Sequence, residues 1–368
     1  MNIDQLEQIE LQRKDKLPIQ HLQKSIIHKS KLHIVYIMVW TKVCGGSKII
    51  LEYVNRLTKM GHQITLITYD KKPTWFELDS RIEFISLNNQ QKLEENIPNC
   101  DLIVATSWKN IYSAIKANCA PVVYFEQGGS HIFAIDTLSP IKKEIVNRRI
   151  KEATFIYTVS EYSKSIIQKE YGKEAFVVPN AVDKTIFYPK KEQHENIVIT
   201  TIGPEEFEFK HVDNIIKAIE KVNQKYSNIV FNWISQTKPT KHDISAIVNP
   251  LQQKIGEILR NTDIYICASD YESFGLPVLE AMSCGTTVIT TDNGGVMDFV
   301  ENKKNGLIVK KNDIADIVEK ITTLIENKAL RKKLAQEAIK TAGKFDWNTS
   351  VKMLEKYYFE LASYTIKK

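Results

Sequence analysis

One stretch of the sequence decides how the rest is interpreted: Tyr271-Glu272-Ser273-Phe274-Gly275-Leu276-Pro277-Val278-Leu279-Glu280-Ala281-Met282-Ser283-Cys284-Gly285. Gly275 and Pro277 predict the start of a helix, since proline has no amide hydrogen to lose in a first turn and its fixed φ suits that position. A helix start offers free N–H groups and a partial positive charge, which suit a phosphate. Glu272 precedes these amides and Glu280 follows them, so the two carboxylates can bind hydroxyl groups on either side of a diphosphate. The pattern therefore indicates a site for a sugar nucleotide.

The bulk composition is that of a globular intracellular protein. At 368 residues with 43% hydrophobic content, the chain is too long for one ordinary core, so two domains are expected. The net charge of +6 favours anionic ligands or an anionic membrane surface, and without an aromatic-basic motif no nucleic-acid partner is expected. No membrane span or signal peptide is recognisable, so a cytoplasmic location is expected. The odd number of cysteines, without short paired spacing, argues against a disulfide framework or a zinc site: Cys44, Cys100, Cys119, Cys267 and Cys284.

Short apolar runs alternate with helical patterns along the whole chain, which predicts an α/β protein with two doubly wound domains. One amphipathic helix is predicted over 47–59, ended by Gly61. The predicted strands are 34–39, 64–68, 82–86, 102–106, 122–125, 155–159, 176–179, 197–202, 230–234, 264–268, 287–290 and 307–309. The predicted divisions are an extension over 1–30, a first domain over 31–187, a second over 188–345 and a terminal helical segment over 346–368.

A glycine pair, Gly45-Gly46, follows the first predicted strand and precedes the first predicted helix. Two glycines at such a point let backbone amides approach a bound anion, with the helix start behind them. The same pair is equally consistent with an ordinary tight turn. The Gly-x-Gly-x-x-Gly spacing of dinucleotide-binding proteins is absent from this loop.

The stretch 271–285, continued through Gly294-Gly295, resembles the donor site of the family 4 retaining glycosyltransferases. The resemblance covers about residues 32–358 and implies the GT-B fold, in which two Rossmann-like domains face each other across a cleft. It implies that Glu272 lies beside the donor sugar and that Glu280 holds the nucleotide ribose. It also implies that amides at Phe274, Gly275 and Leu276, with those of Gly45 and Gly46, face the donor phosphate. Taken alone, the glutamate pair is also consistent with one acid on a solvated loop and one near a helix start.

The same resemblance implies a cationic pair that stabilises the leaving diphosphate, and this chain departs from it. Lys210 matches the lysine of that pair, His211 stands where glycine is usual, and Pro204 stands where an arginine is usual. Loss of the arginine removes a bidentate phosphate clamp, which leaves either another cation, with Lys238 or Lys241 as candidates, or weakened activity. No Asp-x-Asp metal site is evident. The resemblance therefore implies a metal-independent, retaining reaction that needs no cofactor, with the nucleoside diphosphate sugar as substrate.

Four further segments bear on acceptors, partners and packing. Many relatives place a histidine after the fifth strand against the donor sugar, which makes Gln127 and His131 candidates for sugar or acceptor contacts, or simply exposed polar residues. The basic helix over 141–151 is interpreted as a solvated face, with an anionic membrane as the alternative. The segment 17–27 is expected to pack on the body or on a partner. The helix predicted over 347–364 is expected to cross back to the first domain.

Three hypotheses about function follow. The first is a glycosyltransferase, with hexosyl transfer favoured, that carries sugar from a nucleoside diphosphate (UDP favoured) to a saccharide or lipid-linked acceptor in surface glycan synthesis. The second is a catalytically impaired relative that binds sugar nucleotides or acts as a scaffold, which Pro204 supports. The third is another GT-B enzyme such as a sugar-nucleotide epimerase, which would form product without any acceptor. The sequence indicates no oligomeric state.

Overall fold

The computed structural model describes residues 19–25, 29–189 and 195–367, together with positions 5, 8, 9 and 12. Most of the predicted N-terminal extension therefore lies outside the described residues. Only 19–25 can be compared with the prediction that 17–27 packs on the body. Within it, the Gln20 side chain donates to the Ala120 carbonyl at 2.9 Å and accepts from the Val122 amide at 3.0 Å.

The chain forms two compact units, residues 1–179 with 348–368 and residues 180–347. The boundary predicted between 187 and 188 therefore differs from the observed one. The reason is that the segment after Asn180 is bound to the second unit: Val182 donates from its amide to the Phe345 carbonyl, and the Ser283 hydroxyl donates to the Phe187 carbonyl at 2.8 Å. Phe187 is fully buried.

The first unit is built on a parallel sheet whose strands begin, from one edge to the other, at residues 83, 63, 33, 102, 122, 155 and 176. The alternation of strands and helices in the sequence predicts this doubly wound arrangement, and the prediction is confirmed. The strands of the first half of the chain are β1 Leu22–Lys24, β2 His33–Ile37, β3 Gln63–Thr68, β4 Glu83–Ser86, β5 Leu102–Ala105, β6 Val122–Glu126, β7 Phe155–Thr158 and β8 Phe176–Val177. The helices there are α1 Gly45–Lys59, α2 Trp108–Lys116, α3 Ser130–Phe133, α4 Pro140–Glu152 and α5 Glu161–Tyr171.

The second unit carries a parallel sheet whose strands begin, from one edge to the other, at residues 247, 229, 197, 264, 287 and 307. The two-residue strand Ile247–Val248 is not evident in the sequence because so short a run shows no periodicity. The strands of this unit are β9 Ile197–Ile202, β10 Ile229–Ser235, β11 Ile247–Val248, β12 Ile264–Cys267, β13 Thr287–Thr291 and β14 Leu307–Val309. Its helices are α6 Val212–Asn223, α7 Gln252–Arg260, α8 Leu276–Ser283, α9 Ile314–Glu326 and α10 Lys328–Ala342.

The chain ends with α11, Trp347–Ala362, and β15, Tyr364–Ile366. Strand β15 pairs antiparallel with β1, so the predicted terminal helix stops two residues earlier than expected. In the first unit, the buried hydroxyl of Tyr358 on α11 lies 2.8 Å from that of Tyr36 and 2.8 Å from that of Tyr157. These contacts bind the helix to the sheet of this unit.

The basic helix α4 is less solvated than predicted. Arg149 is buried, and its guanidinium lies 4.7 Å from the centre of the Tyr112 ring, while Ile141 at the other end is exposed. The helix therefore buries one of its cations against α2, where a cation and an aromatic face attract each other. Within the described part of the chain, no helix is both long and apolar enough to cross a bilayer.

Candidate functional site

The loops after β9 and β12 meet at the carboxyl edge of the second sheet, where doubly wound domains bind ligands. The Lys210 ammonium lies 2.6 Å from Oε1 of Glu272, and both side chains are largely buried. The Ser269 hydroxyl donates to the same Glu272 oxygen at 2.8 Å. The Glu272 amide donates to the Asn293 carbonyl at 2.8 Å, and its own carbonyl accepts from the Gly295 amide at 2.9 Å. The structure therefore brings together the two residues predicted to be catalytic.

The charge of Lys210 is maintained by its partners. Burial lowers the pKa of the Lys210 ammonium, but the attraction of the nearby Glu272 carboxylate and the hydrogen bond to it outweigh burial, so the net pKa lies above its usual value. A lysine in this state stays protonated and can bind an anionic oxygen. The pair is a preorganised cation and acceptor at the point where the sequence predicts a sugar phosphate.

The start of α8 lies on the same edge and fits its prediction closely. Gly275 is the residue before the helix and has φ +87°, and Pro277 lies in the first turn. The Phe274 ring packs in the core against Phe299 and Phe345, so this residue can offer a ligand only its backbone. On α8 itself, Glu280 is 6% exposed.

The acids next to Pro204 form hydrogen bonds with a neighbouring loop. Pro204 is buried. Glu205 accepts from the Thr240 amide at 2.5 Å, from its hydroxyl at 2.8 Å and from the Lys241 amide at 3.1 Å. Burial raises the pKa of the Glu205 carboxyl, but these hydrogen bonds lower it more, and the net pKa lies below the usual value. Glu206 accepts from the Thr237 hydroxyl at 2.8 Å. These two acids therefore hold the loop at 237–241 and are engaged there, so their repulsion of a diphosphate is reduced.

A second pair, of a histidine and a carboxylate, lies beside the first, and sequence reasoning missed half of it. Nε2 of His211 is 2.7 Å from Oδ2 of Asp270, and the Asp270 amide donates to the Phe209 carbonyl at 2.8 Å. The rings of Phe209 and Tyr271 stack with centroids 4.5 Å apart. Consecutive basic residues and two acids separated by one residue are the pattern that could have revealed this double pair.

The first unit has a cavity of about 560 Å³ at the carboxyl ends of β2, β5 and β6. Gly46 lies in its wall, and a Cβ added there would approach the Gln127 amide nitrogen to 3.5 Å. Gly45 begins α1, and Sγ of Cys44 accepts from the Ser47 amide at 3.4 Å. The cavity is also lined by Thr106, Ser107, Trp108, Lys109, Tyr124, Glu126, Gly128, Ser130, His131 and Lys142. The structure thus brings Gly46, Gln127 and His131 together as predicted candidates for binding.

A buried carboxylate, Glu126, organises one wall of this cavity. It accepts from Nε2 of His131 at 2.8 Å, from the Gly128 amide at 2.6 Å and from the Tyr124 hydroxyl. Burial raises the pKa of Glu126, but its attraction to His131 and these hydrogen bonds lower it more, and the net pKa lies below the usual value. Sequence reasoning missed Glu126 because it ends an otherwise apolar strand; an acid inside such a run is the signal that marks it.

The sequence matches the models of two glycosyltransferase families. The model of the glycosyl transferases group 1 matches residues 183–341, and the model of Glycosyltransferase Family 4 matches residues 43–185. An uncharacterized glycosyltransferase of Methanocaldococcus jannaschii is 28% identical over 215 residues, which are 56% of this chain and 60% of that protein. The N-acetyl-alpha-D-glucosaminyl L-malate synthase of Bacillus anthracis is 22% identical over 340 residues, 80% of this chain and 88% of that protein.

Among solved structures, Anabaena HepE in complex with UDP-glucose has a TM-score of 0.75 at 16% identity, covering 90% of this chain and 100% of that chain. At this identity the likeness concerns the fold. Each of the two Rossmann-like units is built on a parallel sheet, and together with this likeness that architecture defines the fold as GT-B. With both family models matching adjoining parts of the sequence, the chain belongs to the family 4 glycosyltransferases of group 1.

Proposed function

We propose that this protein is a retaining glycosyltransferase that transfers a hexose from a nucleoside diphosphate sugar to a saccharide or lipid-linked acceptor, without a metal ion or another cofactor. UDP is the favoured nucleotide, and the solved relative that holds UDP-glucose supports that choice. We propose further that the protein acts in the cytoplasm, in the synthesis of bacterial surface glycans. Where the acceptor is lipid-linked, it would contact the membrane peripherally.

The observation that carries the proposal is the Lys210–Glu272 pair, 2.6 Å apart, at the edge of the sheet that also carries the start of α8. Breaking the bond between the anomeric carbon and the phosphate oxygen leaves negative charge on the diphosphate. Lys210 and the amides at the start of α8 are donors of the kind that stabilise such charge. Glu272 is then available to accept from the sugar hydroxyls, and Glu280 from those of the ribose.

The acceptor is assigned to the cavity of the first unit. Its polar lining combines neutral hydrogen-bonding groups, such as Gln127 and Ser130, with the cationic side chains of Lys109 and Lys142. Such a lining suits a hydroxylated acceptor that also carries phosphate. His131 is fixed on this wall by Glu126 and is the candidate for a sugar or acceptor contact.

The alternative is a family member that binds sugar nucleotides but transfers little or nothing. The buried proline at position 204 supports it, because no guanidinium can be supplied from that position. Lys238 and Lys241 remain candidates for the missing cation. The Lys241 amide is held by Glu205, which fixes this lysine beside the loop that carries Pro204.

The proposal is tested by incubating the protein with UDP-glucose and its GDP, ADP and dTDP counterparts in EDTA, with and without a mixed saccharide and lipid-linked acceptor pool. We expect release of one nucleoside diphosphate that increases with acceptor, and a product with the anomeric configuration of the donor by NMR. Lys210→Met should lower the rate about a hundredfold or more. Lys225→Met is the matched control, since Lys225 pairs with Glu326 at 2.8 Å on an exposed surface.

Each alternative predicts a different result in this assay. Nucleotide binding without release would favour the impaired relative, and an altered sugar nucleotide without acceptor would favour an epimerase. Loss of activity in EDTA that Mg²⁺ or Mn²⁺ restores would contradict the metal-independent reaction.

A further inference from the structure

We infer that His211 is a second diphosphate-binding cation beside Lys210, held ready by Asp270. The inference rests on the proposed function, since it deepens the description of the same donor site. His211 follows Lys210 directly at the end of the loop after β9, and the two carboxylates that face them, Asp270 and Glu272, are separated by one residue on the loop after β12. The site therefore has two adjacent pairs, each of a basic side chain and a carboxylate.

The two loops are bound together closely enough to fix both pairs. The Asp270 amide donates to the Phe209 carbonyl at 2.8 Å, and the Tyr271 ring stacks on the Phe209 ring at 4.5 Å. On either side of this contact, Nε2 of His211 lies 2.7 Å from Asp270 and the Lys210 ammonium lies 2.6 Å from Glu272. The backbone and ring contacts therefore fix the loop that carries the two basic side chains against the loop that carries their carboxylate partners.

Lys210 and His211 offer an anionic ligand two side-chain donors. The Lys210 ammonium and Nε2 of His211 each have a carboxylate as partner, so neither donor lies in the protein without a counter-charge. A diphosphate offers strong acceptor oxygens to both cations at once, and hydrogen bonds between ionised partners are the stronger kind. The side chain of His211 is 21% exposed, and that of Asp270 is 35% exposed, so a ligand can reach them.

The backbone at this position does not require a histidine. His211 has φ +48° and precedes the first turn of α6, and glycine adopts such a conformation without the steric cost of a side chain. Histidine is among the residues that tolerate it, yet it is not the residue that favours it. What the imidazole adds at this position is its interaction with Asp270 and its potential charge.

The design of the test follows from this backbone conformation. His211→Gly removes the imidazole and keeps a residue suited to φ +48°, so the fold of α6 should be preserved. His211→Asn is the second variant, because asparagine also tolerates positive φ but carries no charge. The matched control is His242→Gln, since Nε2 of His242 pairs with Asp213 at 2.8 Å and the His242 side chain is 19% exposed.

The measurement is the dissociation constant of UMP divided by that of UDP, each determined by calorimetry in EDTA. It is repeated with the mono- and diphosphates of guanosine, adenosine and thymidine. This ratio isolates the contribution of the second phosphate. We expect both His211 variants to lower the ratio about tenfold, the size of one hydrogen bond to a charged group. Lys210→Met should lower it as well, and His242→Gln should leave it unchanged.

The outcomes separate this inference from the proposed function. A ratio within twofold of wild type in both His211 variants, with a lowered ratio in Lys210→Met, would overturn the role of His211 and leave the donor site standing. A fall of similar size in His242→Gln would also overturn it, because any imidazole in the unit would then have the same effect. Wild-type protein that binds none of the nucleotides would overturn both.

Discussion

At the scale of single residues, Gly275 is a position where one added methyl group should disturb the donor site. Its φ of +87° strains any other residue, and a Cβ there would lie 2.4 Å from Cγ1 of Val296. We expect Gly275→Ala to lower the free energy of unfolding of the second unit by about 2–4 kcal/mol, from backbone strain and overpacking together.

Gly172 supplies the matched control for this substitution. It also has positive φ, +64°, but a Cβ added there meets nothing within 4 Å. Gly172→Ala should therefore lower the free energy of unfolding by only about 1 kcal/mol. The strain of alanine at positive φ destabilises the folded chain, and part of this loss is offset because alanine reduces the conformational entropy of the unfolded chain. Denaturant unfolding of both variants checks the difference, and equal losses would contradict the proposed crowding at Val296.

Glu126 should make the first unit sensitive to acid. Its pKa in the folded protein is depressed, so the stability that the ionised carboxylate contributes is present above the unfolded pKa, about 4.3, and is lost as the pH falls through the folded value. We expect Glu126→Gln to be less stable than wild type at pH 7 and the gap to narrow below about pH 4.

Thermal melts of the two proteins across this pH range test the expectation. Glu95→Gln is the control, because Glu95 is 64% exposed and, among the ion pairs of the described residues, the substitution removes just its exposed pair with Lys92 at 3.1 Å. A gap between wild type and Glu126→Gln that is constant with pH would mean that the network around Glu126 does not favour the ionised form.

At the scale of elements, α11 is held to the first unit by the hydroxyl groups of Tyr358, Tyr36 and Tyr157. All three are fully buried, and burial raises the pKa of each phenol above its usual value, so they stay neutral donors and acceptors. We expect Tyr358→Phe to lower the free energy of unfolding by about 1–3 kcal/mol, because two buried hydroxyls lose a partner.

Tyr69 of the same unit, a half-buried residue whose hydroxyl lies in an exposed hydrogen bond, gives the comparison for Tyr358. The Tyr69 hydroxyl donates to the Gln91 carbonyl at 3.0 Å where water can replace it, so Tyr69→Phe should change the stability by less than about 0.5 kcal/mol. Equal melting temperatures for the two phenylalanine variants would show that the tyrosine contacts do not stabilise α11.

The elements also show why some features could be predicted from the sequence and others not. Buried parallel strands such as β2 and β5 are recognisable because both of their faces are apolar. A serine at the start of a helix, such as Ser160 before α5, is recognisable as an N-cap, and its hydroxyl accepts from the Ser163 amide at 3.0 Å. The pairing of β1 with β15 was missed, because an antiparallel contact between the two ends of a chain leaves no local periodicity.

At the scale of the whole molecule, the family and the two-unit architecture could be predicted, whereas the unit boundary and several site partners could not. Residues 180–187 carry no sequence signal that assigns them to the second unit; their backbone contacts to Phe345 and Ser283 do so. Asp270 and Glu126 were missed for a related reason. Each leaves a signal in the sequence, an acid that ends an apolar run or two acids separated by one residue, but the histidine that it contacts becomes evident only in the structure.

The central claim is that the second unit binds a nucleoside diphosphate through the segment around Glu272 and Glu280. Its most direct test is a thermal-shift titration of the wild type and Glu280→Ala with UDP, GDP, ADP and dTDP and their sugars, in EDTA. Glu257→Ala is the control, since Glu257 is 54% exposed and pairs only with the exposed Lys254 among the ion pairs described. One nucleotide should raise the stability of the wild type and of the control by about 2.7 kcal/mol at a hundred times its dissociation constant, and Glu280→Ala should lose that gain. A wild type that no nucleotide stabilises, or a gain that Glu280→Ala retains in full, would contradict the account.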